Sequence, residues 1–422
     1  MTINKKALLL GSAAALLVTG AQAADMPKAP AREPVYRCDI TGFIELPGTD
    51  ICFKVGGHAR FYAGVAEDNV NGLAGGGVGP VGWFAIGPNG THTTGDTFVM
   101  HAQARLNFDA RTSTEYGILR AFIEMQAEDN NASTGGAFNL RHAFIQFGNW
   151  TFGKTDTLFA HGASAPAYTD LLTHIGDPYG RSVQVRYTMP LGNGMTLAVA
   201  LEDPAYQQAG EFFNNLVGAP IGLAQERDEM PAVIAALAFD GSWGSAQVAA
   251  GVRQNVYAQT PLGTAVADRE IGWRVDAGAN INLTSTIALL ARAYYSDGFN
   301  GHSSLATGDV ITDITGTLIL DNVEEWMVMG GLSFAFRPDM TASVSAAYAE
   351  AEPGSSPIPI PTAWLSVDVF QVVGNVFWRP VNNLELGVEV AYTDVNYGIV
   401  NAFAPGISFD AFSLAFQATR SF

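Results

Sequence analysis

The sequence predicts an all-β protein, a 16-stranded antiparallel transmembrane β-barrel. Sixteen stretches between Phe53 and the chain end alternate apolar with polar residues, and tight turns and long polar loops separate them in strict turn. Beyond residue 23 no apolar run approaches the length of about 18 residues that marks a membrane helix. Each alternating strand has one apolar and one polar face, and no helix is predicted to cover the apolar faces. The strands are therefore expected to close into a tube around a water-filled lumen.

The chain start predicts a secretory signal peptide. Lys5 and Lys6 precede an apolar run from Ala7 to Val18, which ends in small residues around Ala23. A membrane anchor is the alternative, but about twelve apolar residues fall short of the roughly 20 that a membrane helix needs. The predicted organisation is a signal peptide at 1–23, a periplasmic N-terminal lead with a short disulfide loop at 24–51, and a transmembrane β-barrel at 52–422.

The first strand shows the period of two most simply. Phe53, Val55 and Phe61 fall on one face, and His58 and Arg60 fall on the other. Continuing the count, we expect strands at 53–65, 98–111, 119–126, 138–147, 150–159, 182–190, 195–202, 232–240, 245–257, 270–281, 286–297, 325–336, 341–350, 366–378, 384–396 and 408–422. Short turns are expected at the periplasmic rim and long loops at the outer rim, as in outer-membrane barrels.

The alternation is weak around residues 138–159. His142 and Gln146 share a parity with Phe138, Leu140 and Phe144, so neither face is cleanly apolar. One explanation is a misplaced register. The other, which we favour, is a wall that contacts another subunit instead of lipid.

Composition excludes several partners. After removal of the signal and its two lysines, 20 basic residues stand against 40 acidic ones, a net charge of about −20. Nucleic acid and anionic lipid would be repelled by such a chain. Because 48% of the residues are hydrophobic, a solvated acidic protein does not fit either.

Cys38 and Cys52 are the only cysteines. An even count in an exported chain favours a disulfide that closes a short loop before the first strand, although two unpaired thiols remain the alternative. Such a bridge would contribute about 3 kcal/mol in the chain-entropy description.

Five segments and the last residue carry a resemblance to a known family. They are CDITGFIELPGTDICFKVGGHARFYAGV, AFIQFGNWTFGKTDTLF, YTMPLGNGMTLAVALEDP, FDGSWGSAQVAAGV, FWRPVNNLELGVEVAYTDVNYG and the terminal Phe422. In order and spacing they resemble the trimeric porins of alphaproteobacterial outer membranes, typified by Brucella and rhizobial porins. The departures lie in the loops.

This resemblance implies a homotrimer that passes small hydrophilic solutes by passive diffusion, with a third loop folded inward as a constriction. It also implies a disulfide between Cys38 and Cys52, which stand in the family's positions. Phe422 resembles the aromatic C-terminal signal read by the outer-membrane assembly machinery. The expected surroundings are outer-membrane lipid and lipopolysaccharide.

Strand parity places eight arginines on the polar face. At mid-bilayer a guanidinium facing lipid costs about 2 to 4 kcal/mol, so this parity is expected to be the wet one. The alternative is that many of them are solvated or paired charges with no selective role. They are Arg60, Arg105, Arg120, Arg141, Arg186, Arg253, Arg274 and Arg292.

The connection at about 160–181 is the third long loop, and its length and apolar content suit a segment inside the barrel. With its flank it carries Asp156, Asp170 and Asp177. We expect these carboxylates to face a basic wall and to influence ion preference. An ordinary charged surface loop is the alternative. The predicted wall residues are Arg60, Arg105, Arg120 and Arg141.

The long loops predict a negative outer mouth. No lysine or arginine occurs from Glu67 to Asp96 or from Asp297 to Glu325. Cations are therefore favoured at the entrance, within a Debye length of about 8 Å at physiological salt. Acidic loops that bridge lipopolysaccharide through divalent cations are an alternative that is compatible with this.

No enzyme, cofactor or metal site is expected, because the chain has neither a HExxH nor a GxSxG motif. The predicted function is a general-diffusion channel, weakly cation-preferring, in the outer membrane. The alternatives are a channel that prefers one solute class such as a sugar, an outer-membrane enzyme such as a phospholipase, and an adhesive barrel with a closed lumen.

Overall fold

The computed structural model of the protein is a closed antiparallel β-barrel. It describes residues 38, 40–71, 97–129, 137–169, 172, 174–177, 180–206, 225–226, 229–259, 266–301, 310–311, 321–353, 364–400 and 407–422. The predicted signal peptide lies outside these residues. Within them, no helix has the length and apolar character needed to span a bilayer.

Sixteen long strands form the barrel, and each of the sixteen expected strands has one counterpart. They are β1 (Cys52–Asn71), β2 (Thr97–Thr114), β3 (Gly117–Glu128), β4 (Ala137–Phe147), β5 (Trp150–Asp156), β6 (Arg181–Gly192), β7 (Met195–Glu202), β8 (Ala232–Gly241), β9 (Gly244–Gln259), β10 (Val266–Asn282), β11 (Ile287–Asp297), β12 (Asp321–Arg337), β13 (Met340–Pro353), β14 (Trp364–Val381), β15 (Leu384–Val400) and β16 (Ile407–Ser421). The predicted fold class is confirmed.

Smaller elements decorate the barrel. Two-residue strands at Ile44–Glu45, Gln225–Glu226 and Val310–Ile311 pair with the long strands. Single 3₁₀ turns occur at Gly162–Ser164 and Pro204–Tyr206.

The barrel closes where β16 pairs with β1, from Ser408 opposite Asn71 to Ser421 opposite His58. Phe422 continues this pairing, because its backbone N–H donates to the Gly57 carbonyl at 3.1 Å and its carbonyl accepts from Gly57 at 3.3 Å. Any side chain at position 57 would meet the Arg105 carbonyl oxygen at 2.1 Å, so a glycine is required at this closure. The last residue is thus part of the sheet.

The cysteines form the favoured disulfide. Cys38 and Cys52 are bridged across a sequence separation of 14, with their Cα atoms 5.6 Å apart. Since Cys52 is the first residue of β1, the bridge ties the chain before the barrel to the barrel itself.

The two strand faces differ as the alternation predicts. In β1 the side chains of Val55, Phe61 and Val65 are exposed on the outside of the tube, and Tyr62 is buried on the inside. In β10 the outward Ile271 and Val275 alternate with inward residues in the same way. A continuous apolar outer surface therefore surrounds the barrel, which suits contact with hydrocarbon.

A β-bulge explains the weak alternation in β4. Glu124 of β3 pairs with His142, but the next residue, Met125, pairs with Leu140, so Arg141 is the extra residue. One inserted residue reverses the parity of all that follow. Phe138 and Leu140 therefore point outward before the bulge, and the odd-numbered Ile145 and Phe147 do so after it. The mixed parity no longer argues for a subunit contact here.

Strand lengths differ from the expectation mainly at the long-loop end. β10 begins at Val266 and β12 at Asp321, four residues before the predicted starts. Backbone pairing continues beyond the alternating pattern because, above the hydrocarbon, the outer face no longer has to be apolar. β5 instead ends early, at Asp156. Here the chain leaves the sheet, because the Leu158 backbone N–H donates to the Glu202 carboxylate instead of to a neighbouring strand.

Part of the inner surface is an apolar core, which the sequence reading did not anticipate. Ile175 of the β5–β6 connection packs on inward side chains of β12 and β14, and all are less than 5% exposed. Its partners include Met327, Met329, Val367 and Val369. On the side of β12 and β14, the β5–β6 connection therefore packs against the inside of the barrel wall.

Candidate functional site

The structure places all eight predicted arginines on the inner face, in two environments. Arg105, Arg120 and Arg141 on β2–β4 keep 13–23% of the side chain exposed. Arg253, Arg274 and Arg292 on β9–β11 are at most 3% exposed. Three further inner-face arginines are also partly exposed: Arg60 on β1, Arg111 on β2 and Arg186 on β6.

Asp109 on β2 is shared by two arginines. Arg111 donates from Nε and Nη2 at 3.0 and 2.8 Å, and Arg120 donates from Nε and Nη2 at 2.9 and 2.8 Å. Two bidentate pairs on one carboxylate fix the planes of both guanidinium groups. This cluster carries a net charge of +1.

Glu124 on β3 forms a second ion-pair cluster. Its Oε1 accepts from Arg141 Nε at 2.9 Å and lies 3.8 Å from Arg105 Nε. Arg105 Nε also donates to the Gln126 side-chain oxygen at 2.9 Å. Arg60 donates from Nε to the Thr419 hydroxyl at 2.8 Å, which extends the polar wall to β16. Arginines thus line the inner face from β1 through β4.

Three rings interrupt this polar wall. Phe122, His142 and Phe144 lie with centroids 5.3–6.2 Å apart on the inner face of β3 and β4. The Arg120 guanidinium lies 4.8 Å from the centroid of Phe122 and 5.3 Å from that of Phe144. The wall therefore offers one small aromatic patch beside its charges.

The chain from 157 to 180, here called the β5–β6 segment, corresponds to the predicted third loop. Glu202 of β7 holds its start: Glu202 Oε1 accepts from the Thr157 hydroxyl at 3.0 Å and from the Leu158 backbone N–H at 3.1 Å. The Ser182 hydroxyl donates to Glu202 Oε2 at 2.5 Å. A buried carboxylate thus fixes the point where the chain leaves the sheet.

A buried charge cluster on β10 and β11 holds the middle of the segment. Asp276 Oδ2 accepts from Arg274 Nη2 at 2.7 Å and from Arg292 Nη2 at 2.8 Å. Arg292 Nη1 also donates to the Gly176 carbonyl at 3.2 Å. The Arg274 guanidinium lies 4.9 Å from the centroid of the Phe159 ring. Both arginines therefore bind the segment.

Inner-face polar residues of β13–β15 hold the rest. Glu389 accepts from Thr169 and from His174 Nε2, the latter at 2.8 Å. Gln371 accepts from the Ile175 backbone N–H at 2.9 Å, and Asn375 donates to the Ala167 carbonyl at 2.8 Å. The segment that follows β5 thus contacts strands far from β5 along the sheet.

The three predicted acidic residues are placed differently. Asp156 ends β5, is 54% exposed, and pairs with Arg181 Nε at 3.3 Å. Asp177 is exposed and follows Gly176 on the segment. Asp170 lies outside the described residues. So do residues 72–96 and most of 302–320, on which the negative outer mouth depends.

Burial shifts two titratable groups of the segment. It lowers the pKa of the His161 imidazole, since the charged form loses hydration. It raises the pKa of the Tyr168 phenol for the same reason. Both groups are therefore held neutral near pH 7.

The sequence reading missed the anchoring residues Glu202, Asn375 and Glu389. As polar residues on the inner parity they look like any lumen residue. One available signal lay in 326–332 and 367–373, where both parities are rich in apolar residues. Apolar residues on both faces indicate a strand that is buried on both sides.

Comparison with known proteins agrees with the barrel. The profile of a family described as a porin subfamily matches residues 26–407. The chain belongs to this porin subfamily. Porin Omp2a of Brucella melitensis is 27% identical over 404 residues, covering 93% of each chain. Porin Omp2b of Brucella suis is 28% identical over 367 residues, covering 82% of this chain and 85% of the relative.

Solved structures share the fold. An outer-membrane channel, DcaP of Acinetobacter baumannii, superposes with a TM-score of 0.65 at 20% identity, covering 88% of this chain and 97% of that one. A trimer form of OmpT from Vibrio cholerae gives 0.50 at 10% identity, covering 88% and 99%. This porin is a channel protein that crosses the outer membrane many times. Its family and relatives are channels, not enzymes.

Proposed function

We propose that this porin is a passive diffusion channel for small hydrophilic solutes and ions, narrowed by the β5–β6 segment inside the lumen. The observation that carries the proposal is that this segment hydrogen-bonds to inner-face residues of β11, β14 and β15, while the arginines of β1–β4 remain partly exposed. A segment in this position leaves an open passage along the basic wall.

The open wall suits hydrated solutes. Asp109 and Glu124 are each shared by two arginines, so an entering solute meets fixed ion pairs and a small net positive charge. Polar solutes exchange water for these groups, whereas apolar solutes gain nothing from them. Broad passage with weak preference is the expected result.

We propose a weak cation preference. Asp156 and Asp177 are exposed at or near the segment, Asp170 belongs to it, and the mature chain carries about 20 excess acidic charges. The wall formed by Arg60, Arg105, Arg120 and Arg141 opposes this preference. Acidic long loops add to the cation preference at the outer mouth.

We also propose the assembly route and state. Cleavage after Ala23 leaves a periplasmic lead of residues 24–51, and the paired terminal Phe422 is the residue that the outer-membrane assembly machinery reads. The functional unit is a homotrimer, supported by the family and by the trimer form of the OmpT neighbour. Lipopolysaccharide and lipid surround it.

A channel that prefers one solute class is the second candidate. The patch of Phe122, His142 and Phe144 on the inner wall favours it, because rings in a polar lumen provide stacking faces for sugars or planar solutes. A single patch is short for a binding track, so this candidate stands second.

Conductance of the purified porin in planar bilayers tests the proposal. A diffusion channel gives large ohmic steps with weak ion selectivity. Saturable block by one sugar or one aromatic solute would support the second candidate instead. Absence of steps from correctly folded protein would contradict both.

A further inference from the structure

Glu389 of β15 is a buried carboxylate on which three other residues converge. Its side chain is 0% exposed. Oε1 accepts from the Thr169 hydroxyl at 2.6 Å and from His174 Nε2 at 2.8 Å. Oε2 accepts from the Thr169 backbone N–H at 3.2 Å and from Asn375 Nδ2 at 3.1 Å. This carboxylate is covered by the segment and does not line the open passage.

Contacts next to Glu389 also hold the segment against the barrel wall. Tyr168 stacks on His174 with centroids 3.8 Å apart, and its hydroxyl lies 3.1 Å from that of Ser345 on β13. Gly176 passes so close to β12 that an added β-carbon would lie 2.9 Å from the β-carbon of Met329. Residues 167–169 and 174–176 therefore lie directly on the barrel wall.

Glu389 differs from the two charged attachments at Glu202 and Arg292. Glu202 holds only the start of the segment, at Thr157 and Leu158, and Arg292 reaches it through one backbone carbonyl. Glu389 joins the side chains of Thr169 and His174, which lie on the two sides of residues 170–173. Loss of this acceptor leaves several buried donors unsatisfied, which favours release of the segment from the wall.

We propose that Glu389 is a positioning residue for passage through the channel. With His174 it forms a latch that holds residues 167–169 and 174–176 against β14 and β15 and so fixes the width of the open lumen. This inference rests on the proposed function, since it takes the β5–β6 segment as the narrow part of the channel.

Single-channel recording of the full-length oligomer tests the latch with Glu389→Ala, His174→Ala and the double variant. Release of the segment raises open-channel current noise and the frequency of partial closures several-fold. Because both residues act through one contact, the double variant is expected to be no noisier than Glu389→Ala alone.

Glu385→Ala is the matched control. Glu385 lies four residues earlier on β15 and pairs with Arg379 at 2.7 Å, away from the segment. This variant removes a carboxylate from the same strand and is expected to conduct with wild-type noise. Heat resistance of each oligomer on gels reports whether the barrel itself is intact.

Two substitutions on the segment side keep the test decisive if Glu389→Ala does not fold. Thr169→Val and His174→Ala leave the barrel wall unchanged and are expected to raise the noise in the same direction. Folded variants that conduct with wild-type noise and wild-type size exclusion would overturn the latch. A wild-type porin without conductance would instead overturn the proposed function.

Discussion

Arg120 and Asp109 face each other across β3 and β2 in a bidentate pair, with N–O distances of 2.9 and 2.8 Å. Arg111 donates two further hydrogen bonds to the same carboxylate. Asp109 thus balances two partly exposed arginines on the open wall, as Glu124 does for Arg105 and Arg141. We propose that the ion preference of the channel depends on this balance.

Asp109→Asn is expected to shift the channel toward anions. One charge at about 5 Å in water contributes about 0.8 kcal/mol, which corresponds to roughly a fourfold change in permeability ratio, or about twofold after screening at 0.1 M salt. The reversal potential in a potassium chloride gradient measures it. Asp339→Asn, in an exposed turn where Asp339 pairs with Arg337, is the control and is expected to leave the potential unchanged. An equal shift in both variants would contradict the assignment of the open wall.

Neutralising Asp156, Asp170 and Asp177 together is expected to lower cation over anion permeability. Each carboxylate that borders the narrow part contributes about twofold to fourfold by the same Coulomb estimate. The control replaces Glu115, Asp339 and Glu385, which lie at or near the short turns, with their amides. An unchanged reversal potential in the first triple variant would contradict the assignment of these three carboxylates to the constriction.

Asp276→Ala is expected to destabilise the barrel strongly. Arg274 and Arg292 are then left buried without their shared carboxylate, and breaking a buried pair in this way costs about 3 to 5 kcal/mol. Urea titration of folded protein in detergent measures the loss in free energy of unfolding. Asp339→Ala breaks an exposed pair and is expected to cost at most about 1 kcal/mol. Similar losses in both variants would argue that the charge cluster on β10 and β11 is not a structural anchor.

A pair of neighbouring substitutions in β16 tests which face meets lipid. Leu414 is 41% exposed on the outer face, and Leu414→Arg is expected to cost about 2 to 4 kcal/mol of folding free energy in a bilayer. Ser413 points inward between Ala66 and Ala391. Ser413→Arg is expected to cost clearly less, because its guanidinium reaches the wet wall. Folding yield into liposomes at graded urea compares the two, and the reverse order would invert the assignment of faces.

The sequence was sufficient for the architecture because hydrocarbon imposes a strict rule on every second residue. Val55, Phe61 and Val65 must be apolar, and the strand count, parity and alternation of turns follow from such positions. The interior imposes no rule of that kind. Glu389, which binds the segment, and Glu124, which lines the passage, are both polar residues on the inner parity, and only the three-dimensional path of the β5–β6 segment separates their roles. Five inner-face arginines on β1–β4, including Arg111, therefore remain as candidates for selectivity, while Arg274 and Arg292 are structural.

The extra residue at Arg141 shows how such a barrel tolerates changes in length. A single insertion elsewhere in a spanning strand would turn every later apolar side chain toward the lumen and every later polar one toward lipid. Such a strand would no longer be stable in the membrane. In β4 the apolar residues stay on the outer face, because the hydrophobic pattern after the bulge has shifted by one residue as well. Insertions and deletions within these strands should therefore be tolerated when they change the length by two residues. A change of one residue should be tolerated only where the following hydrophobic pattern has shifted to match.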